Sequence, residues 1–123
     1  MEIEVRGIEN KGFGVVAVGR IQKGEIIEKA PVILYTLEEE EYLEKTLLIN
    51  YTYAWKKGES GAIVLGYGSL YNHSYQPNAR YERNFQHRVM EYIALRDIEA
   101  GEEVTINYNY VIDDSTPVWF DVY

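Results

Sequence analysis

The chain has 123 residues, enough for one hydrophobic core and too few for two. Hydrophobic residues make up 46% and aromatics 14%, which excludes a disordered chain, and the absence of cysteine excludes disulfides and thiolate metal sites. Two histidines in tyrosine-rich surroundings give no expectation of a metal ion. A net charge of -8 argues against direct nucleic-acid binding and suits a cationic partner, although solubility is its simplest reading. The first residues lack a basic stretch followed by an apolar one, and no run approaches the ~20 apolar residues of a membrane span. An intracellular protein is expected, or one exported by a route the sequence does not show, with no membrane association.

Short strand-like runs dominate. Ile3 and Val5 alternate with charges, Phe13 to Val18 is apolar and β-branched, and the runs 25–28 and 32–35 follow as two further strands. One helix is expected from Leu37 to about Lys45, with Thr36 as N-cap and Glu39 completing a capping box. Strand character resumes from Leu47 to Trp55, and 57–61 reads as a turn. Ala79 to Arg83, Val89 to Leu95 and Val104 to Tyr110 are the remaining strands. This makes a single mainly β domain with few short helices. One pattern occurs twice, Ile21 to Ile27 and Ile98 to Val104, each a turn whose glycine can take a positive φ before a strand.

Three clusters could carry chemistry. Gly12-Phe13-Gly14 formally opens a dinucleotide-binding pattern, but the β-branched run that follows cannot be the helix such a site requires. Two glycines still let a ligand approach the backbone, and a plain glycine-rich turn remains the simpler reading. The second cluster, Gly66 to Asn78, packs Asn72 and His73 among Tyr67, Tyr71 and Tyr75, mixing polar side chains that can bond a ligand with rings that can wall a pocket. The third, Gly101 to Tyr110, is a strand ending in Tyr108 and Tyr110, which alone would read as an ordinary strand edge. Twelve tyrosines, concentrated between Tyr51 and Tyr92, point to an aromatic channel.

Taken in order, the stretches 11–14, 71–78 and 101–108 resemble the SET-domain family of protein lysine methyltransferases. The likeness runs from about Ile3 to Tyr110 and looks closest to the minimal stand-alone members of bacteria and large DNA viruses. It implies a β-clip fold of small sheets, with a knot-like crossing of the C-terminal segment beside the Asn72-His73 motif. It also implies a domain core over residues 3–110 and a closing segment over 111–123.

The resemblance further implies S-adenosyl-L-methionine as cofactor, with Lys11, Gly12, Phe13, Gly14, Asn72, His73, Tyr108 and Trp119 around it. Tyr108 matches the family's catalytic tyrosine, and Tyr81 matches the residue that limits how many methyl groups fit. Tyr67, Tyr71, Tyr81 and Tyr110 are the expected channel wall. The zinc-binding cysteines that flank many members are missing, so Trp119 with its neighbours Val118 and Phe120 is expected to close the site instead. The substrate expected is a protein with an exposed lysine, a histone or another basic protein. A homodimer that completes the substrate groove, and a cytoplasmic location (or a host nucleus for a viral or delivered protein), complete the expectations. The rival reading is a catalytically idle module that binds a protein or peptide.

Overall fold

The computed structural model describes residues 2–56 and 58–108. Two sheets account for most of it. In the first, β1 (Ile3–Ile8) and β2 (Gly12–Ala17) form an antiparallel hairpin from Ile3 opposite Ala17 to Ile8 opposite Gly12. The hairpin turn needs left-handed backbone at Asn10 (φ 66°) and Gly12 (φ 76°), conformations that asparagine and glycine tolerate best. β9 (Glu103–Ile106) lies antiparallel to β2 on one side and parallel to the two-residue β6 (Asn72–His73) on the other. A strand from the end of the chain thus enters between one from its start and one from its middle.

The second sheet has the order β4-β5-β3-β8-β7, antiparallel throughout. Its strands are β3 (Ile26–Thr36), β4 (Thr52–Lys56), β5 (Ser60–Val64), β7 (Ala79–Asn84) and β8 (Val89–Ala94). The two runs expected at 25–28 and 32–35 are one strand, β3, continuous through Pro31. Residues up to Pro31 pair with β8 and those from Val32 pair with β5. The proline therefore stands where the strand changes partners, and its missing N–H interrupts no ladder interior.

The helix α1 (Leu37–Leu43) carries the expected capping box. Thr36 Oγ1 accepts from the Glu39 amide at 3.2 Å, and Glu39 accepts from the Thr36 amide at 3.0 Å. The Leu47 to Trp55 run is corrected: Leu47–Tyr51 is a 3-10 helix capped by Thr46, and only Thr52 onward is strand. The turn at 57–61 is shorter than expected, because β5 begins at Ser60. Gly61 faces Tyr35 across β3, and a Cβ there would collide with the Tyr35 ring. β9 ends at Ile106, so Tyr108 sits in a turn rather than on the strand.

The five-stranded sheet curls until its two edge strands face each other. Arg83 Nε on β7 donates to the Ala54 carbonyl on β4 at 2.7 Å, and the Tyr53 and Tyr81 rings meet edge to face at 5.2 Å. The two copies of the repeated turn also meet. Ile21 and Ile98 exchange both backbone hydrogen bonds at 2.8 Å, both side chains are buried, and their glycines, Gly24 and Gly101, have φ of 86° and 90°.

Candidate active site

Residues 11–13 form part of the rim of the first cavity, of about 370 Å³, lined by Lys11, Gly12, Phe13, Leu70, Asn72 and Tyr108 among others. At Gly12 an added Cβ would meet nothing within 4 Å, so the backbone is open to a ligand. Gly14 serves a different purpose. A Cβ there would lie 2.6 Å from Ile8 and 2.7 Å from both the Asn72 amide and the Glu103 carboxylate. The second glycine makes room for protein, not for a ligand.

The groups that Gly14 admits form a network. Asn72 Nδ2 donates to the Phe13 carbonyl at 3.0 Å and to Glu103 Oε2 at 2.6 Å, while Lys11 Nζ pairs with Glu103 Oε1 at 2.9 Å. Both members of the ion pair are largely shielded, so it is a stronger fixture than an exposed pair. Asn78 ties the next turn to the same strand, donating to the Glu103 carbonyl and accepting from the Thr105 amide, both at 2.8 Å.

The curl of the five-stranded sheet encloses the second cavity, of about 300 Å³. Its aromatic wall is Tyr51, Tyr53, Tyr71, Tyr81 and Tyr108, with Arg83 also lining it. Tyr71 stacks on Tyr92 at 4.3 Å between ring centres, and the Tyr92 and Tyr53 hydroxyls both donate to the Gly68 carbonyl. Burial pushes the Tyr53, Tyr71 and Tyr92 phenols well above their ordinary value of about 10, so these three keep their protons.

Tyr108 stands in the walls of both cavities, as do Asn50, Tyr51 and Ser69. Its hydroxyl donates to the Tyr71 carbonyl at 2.6 Å. Burial, helped by the nearby Tyr51, Glu103 and Tyr81, pushes its pKa up to about 12. At neutral pH it is a phenol, a donor and acceptor of hydrogen bonds rather than a base. His73 supports it from below: the buried imidazole accepts the Tyr108 amide on Nδ1 at 3.0 Å. Burial, reinforced by Lys11, lowers the His73 pKa and keeps the ring neutral.

Most of the residues singled out in the sequence therefore come together. Lys11, Gly12, Phe13, Asn72 and Tyr108 line the first cavity; Tyr71, Tyr81 and Tyr108 line the second. Tyr67 stands apart from both linings, half-buried against the core, and its backbone amide binds Glu28. Tyr110 and Trp119 lie outside the described residues. Glu103 and Glu28 escaped the sequence reading, because a glutamate in a strand looks solvent-facing. The neighbouring pair Glu102-Glu103 held the available signal, since adjacent strand residues must point to opposite faces. Among the described residues no group of histidines and carboxylates could hold a metal ion.

Two cavities meeting at a tyrosine beside an Asn-His pair agree with what sequence comparison finds. The sequence model of the SET domain family matches residues 12–109. The chain belongs to the SET-domain family. A Schizosaccharomyces pombe relative, a histone-lysine N-methyltransferase specific for H3 lysine-37, is 37% identical over 107 residues, spanning 86% of this chain and 72% of its own. A Yarrowia lipolytica histone-lysine N-methyltransferase specific for H3 lysine-36 is 30% identical over 118 residues, of which this chain spans 15% of the length. The crystal structure of a candidate histone methyltransferase from Plasmodium falciparum superposes with a TM-score of 0.70 at 34% identity, covering 86% of this SET domain and 96% of that chain.

Proposed function

We propose that this protein transfers methyl groups from S-adenosylmethionine to a lysine side chain of a basic protein, a histone being the first candidate. The observation that carries the reading is the position of Tyr108 in the walls of two cavities of different character. One has open glycine backbone and an amide–carboxylate network at its rim; the other is lined by phenols. The relatives' activities on histone H3 support the substrate class, and the net charge of -8 favours a cationic partner.

S-adenosylmethionine fits the first cavity by size and by the open backbone at Gly12, within the roughly 300–1,000 Å³ typical of small-molecule sites. Lys11, Gly12, Phe13 and Asn72 would hold it, with Glu103 fixing the Asn72 side chain. When bound it supplies an electrophilic methyl group on a sulfonium. The target lysine must arrive as a neutral amine, and the ring-lined cavity favours that form by desolvating it, against a free pKa of about 10.4. The Tyr108 oxygen then accepts from the amine while its own proton stays with the Tyr71 carbonyl, which orients the nitrogen without removing a proton.

A radiolabelled methyl-transfer assay on core histones, histone H3 peptides and a panel of other basic proteins tests this reading. Label on lysine, lost in Tyr108→Phe, supports it. Tight peptide binding with no transfer under any condition would make the chain a binding module.

A further inference from the structure

Glu28 is a buried carboxylate that the chemistry above does not use. It lies on β3 opposite Tyr92, beside the register shift between Ile26 and Glu28, and is only 6% exposed. An unpaired carboxylate in such a place is strongly disfavoured. Among the described residues no lysine or arginine pairs with it. Its oxygens are instead taken by two neutral donors: Oε1 accepts the Tyr71 hydroxyl at 2.8 Å, and Oε2 accepts the Tyr67 amide at 2.9 Å. The chain bends around it at Gly66, where φ is 62° and a Cβ would collide with Oε2. An apolar side chain would fill the same space with no charge to desolvate, so packing alone gives no reason for a glutamate.

Tyr71 is what the carboxylate acts on. Its ring lines the aromatic cavity and is stacked on Tyr92; its hydroxyl is drawn into the core by Glu28; its carbonyl receives the Tyr108 hydroxyl. Residue 71 occupies the single step between the 3-10 helix Gly68–Leu70 and β6. With the ring anchored at its face and at its hydroxyl, the main chain at this step is held in one setting. The carbonyl that receives Tyr108 is thereby aimed from below.

We propose that Glu28 is a positioning residue that acts through Tyr71 to hold the Tyr108 hydroxyl at the junction of the two cavities. The proposal rests on the methyltransferase reading for its consequence in catalysis, but the positioning itself is a property of the protein without any ligand. Glu28 itself lines neither cavity. It sets the geometry of a residue that does.

Two variants attack the bond from opposite ends. Glu28→Gln keeps the shape and removes the charge; Tyr71→Phe keeps the carboxylate and removes the donor. Each should lower kcat on a histone H3 peptide by about tenfold or more, with KM and S-adenosylhomocysteine affinity within about twofold of the parent. The decisive arm is the double-mutant cycle with Tyr108→Phe. If Glu28 works through Tyr108, Glu28→Gln causes no further loss in that background. A loss that multiplies instead, or a kcat unchanged in both single variants, overturns the proposal. Should Glu28→Gln fail to fold, as judged by circular dichroism, Tyr71→Phe carries the same cycle.

A ligand-free readout separates this proposal from the functional one. In 3-fluorotyrosine-labelled protein, the fluorine resonance that disappears in Tyr108→Phe should shift or broaden in both Glu28→Gln and Tyr71→Phe. An unmoved resonance overturns the positioning role. A moved resonance in a protein that methylates nothing supports the positioning role and removes the methyltransferase reading alone.

Discussion

The hydroxyl of Tyr108 is held by the main-chain carbonyl of Tyr71, 2.6 Å away. A phenol so placed keeps its proton, and its oxygen can orient a neighbouring amine but not deprotonate it. Tyr108→Phe removes that one oxygen and leaves the ring in place. Turnover should fall by roughly ten- to a thousandfold, about 1.4–4 kcal/mol of alignment, with S-adenosylhomocysteine affinity and fold little changed. A rate within about twofold of the parent would exclude the hydroxyl from the reaction and direct attention to Tyr51, which also borders both cavities.

The two glycines at the start of β2 should respond differently to alanine. At Gly12 the new methyl group enters open space, so only the left-handed backbone resists it, by about 1 kcal/mol. At Gly14 it runs into Ile8, Asn72 and Glu103 at once, and overpacking of that kind typically costs about 1–3 kcal/mol. Calorimetry with S-adenosylhomocysteine should show a severe loss for Gly14→Ala because the Asn72–Glu103 bond is displaced. Equal affinities for parent and Gly14→Ala would remove that network from cofactor binding.

Both ends of the pH scale should weaken the fold, for opposite reasons. His73 has a folded-state pKa below its ordinary value of about 6.5, so the unfolded chain binds the proton more readily. Its contribution is whole above about pH 6.5 and is lost as pH falls toward the folded value, with the Tyr108 amide losing its acceptor. Tyr53, Tyr71, Tyr92 and Tyr108 are all raised, so their contribution is whole below about pH 10 and is lost as pH rises beyond it. Urea denaturation across pH should therefore give a plateau with two shoulders. Tyrosinate absorbance above pH 10 should rise together with unfolding, and ionisation of these rings in a still-folded protein would contradict the burial argument.

Tyr81 offers a test of product range. It is buried in the wall of the aromatic cavity, edge-on to Tyr53 at 5.2 Å and beside Tyr92 at 6.3 Å. Removing its hydroxyl frees a small volume, which a nitrogen already carrying methyl groups could use to turn into line. Tyr81→Phe is expected to shift products toward di- and trimethyl-lysine, with a modest effect on the first transfer, about 0.5–1.5 kcal/mol. Mass spectrometry of a peptide time course reads the distribution directly, and identical distributions would assign the pocket's size to other residues.

Local chemistry was legible in the sequence; closure was not. Thr36 and Glu39 announce a helix start because a capping box is made within one turn, and the two turn glycines announce positive φ in the same way. The Asn72-His73 motif and Tyr108 were visible as a family pattern. The tyrosine bias announced an aromatic channel, and Tyr71 and Tyr81 do line it; the share of Asn50, Tyr51, Tyr53 and Arg83 was not visible, since these become neighbours only when the sheet's edge strands curl together. Nothing local to Pro31 says whether a strand ends there or changes partner, and nothing local to Glu28 says that it faces inward.

The reciprocal bonds between Ile21 and Ile98 carry a consequence for how the molecule comes into being. Each turn is local, but their union joins segments most of the chain apart, and β9, which brings Glu103 and leads to Tyr108, follows directly from the later one. A nascent chain that has not yet exposed Ile98 would present β2 as an unpaired edge, with Asn72 lacking Glu103 and His73 lacking the Tyr108 amide. Long-range closure of this kind is slow relative to hairpin formation, so the geometry of the site arrives last. Partly synthesised protein should therefore be inert rather than weakly active, and ribosome-stalled chains ending short of Ile98 should bind no S-adenosylhomocysteine.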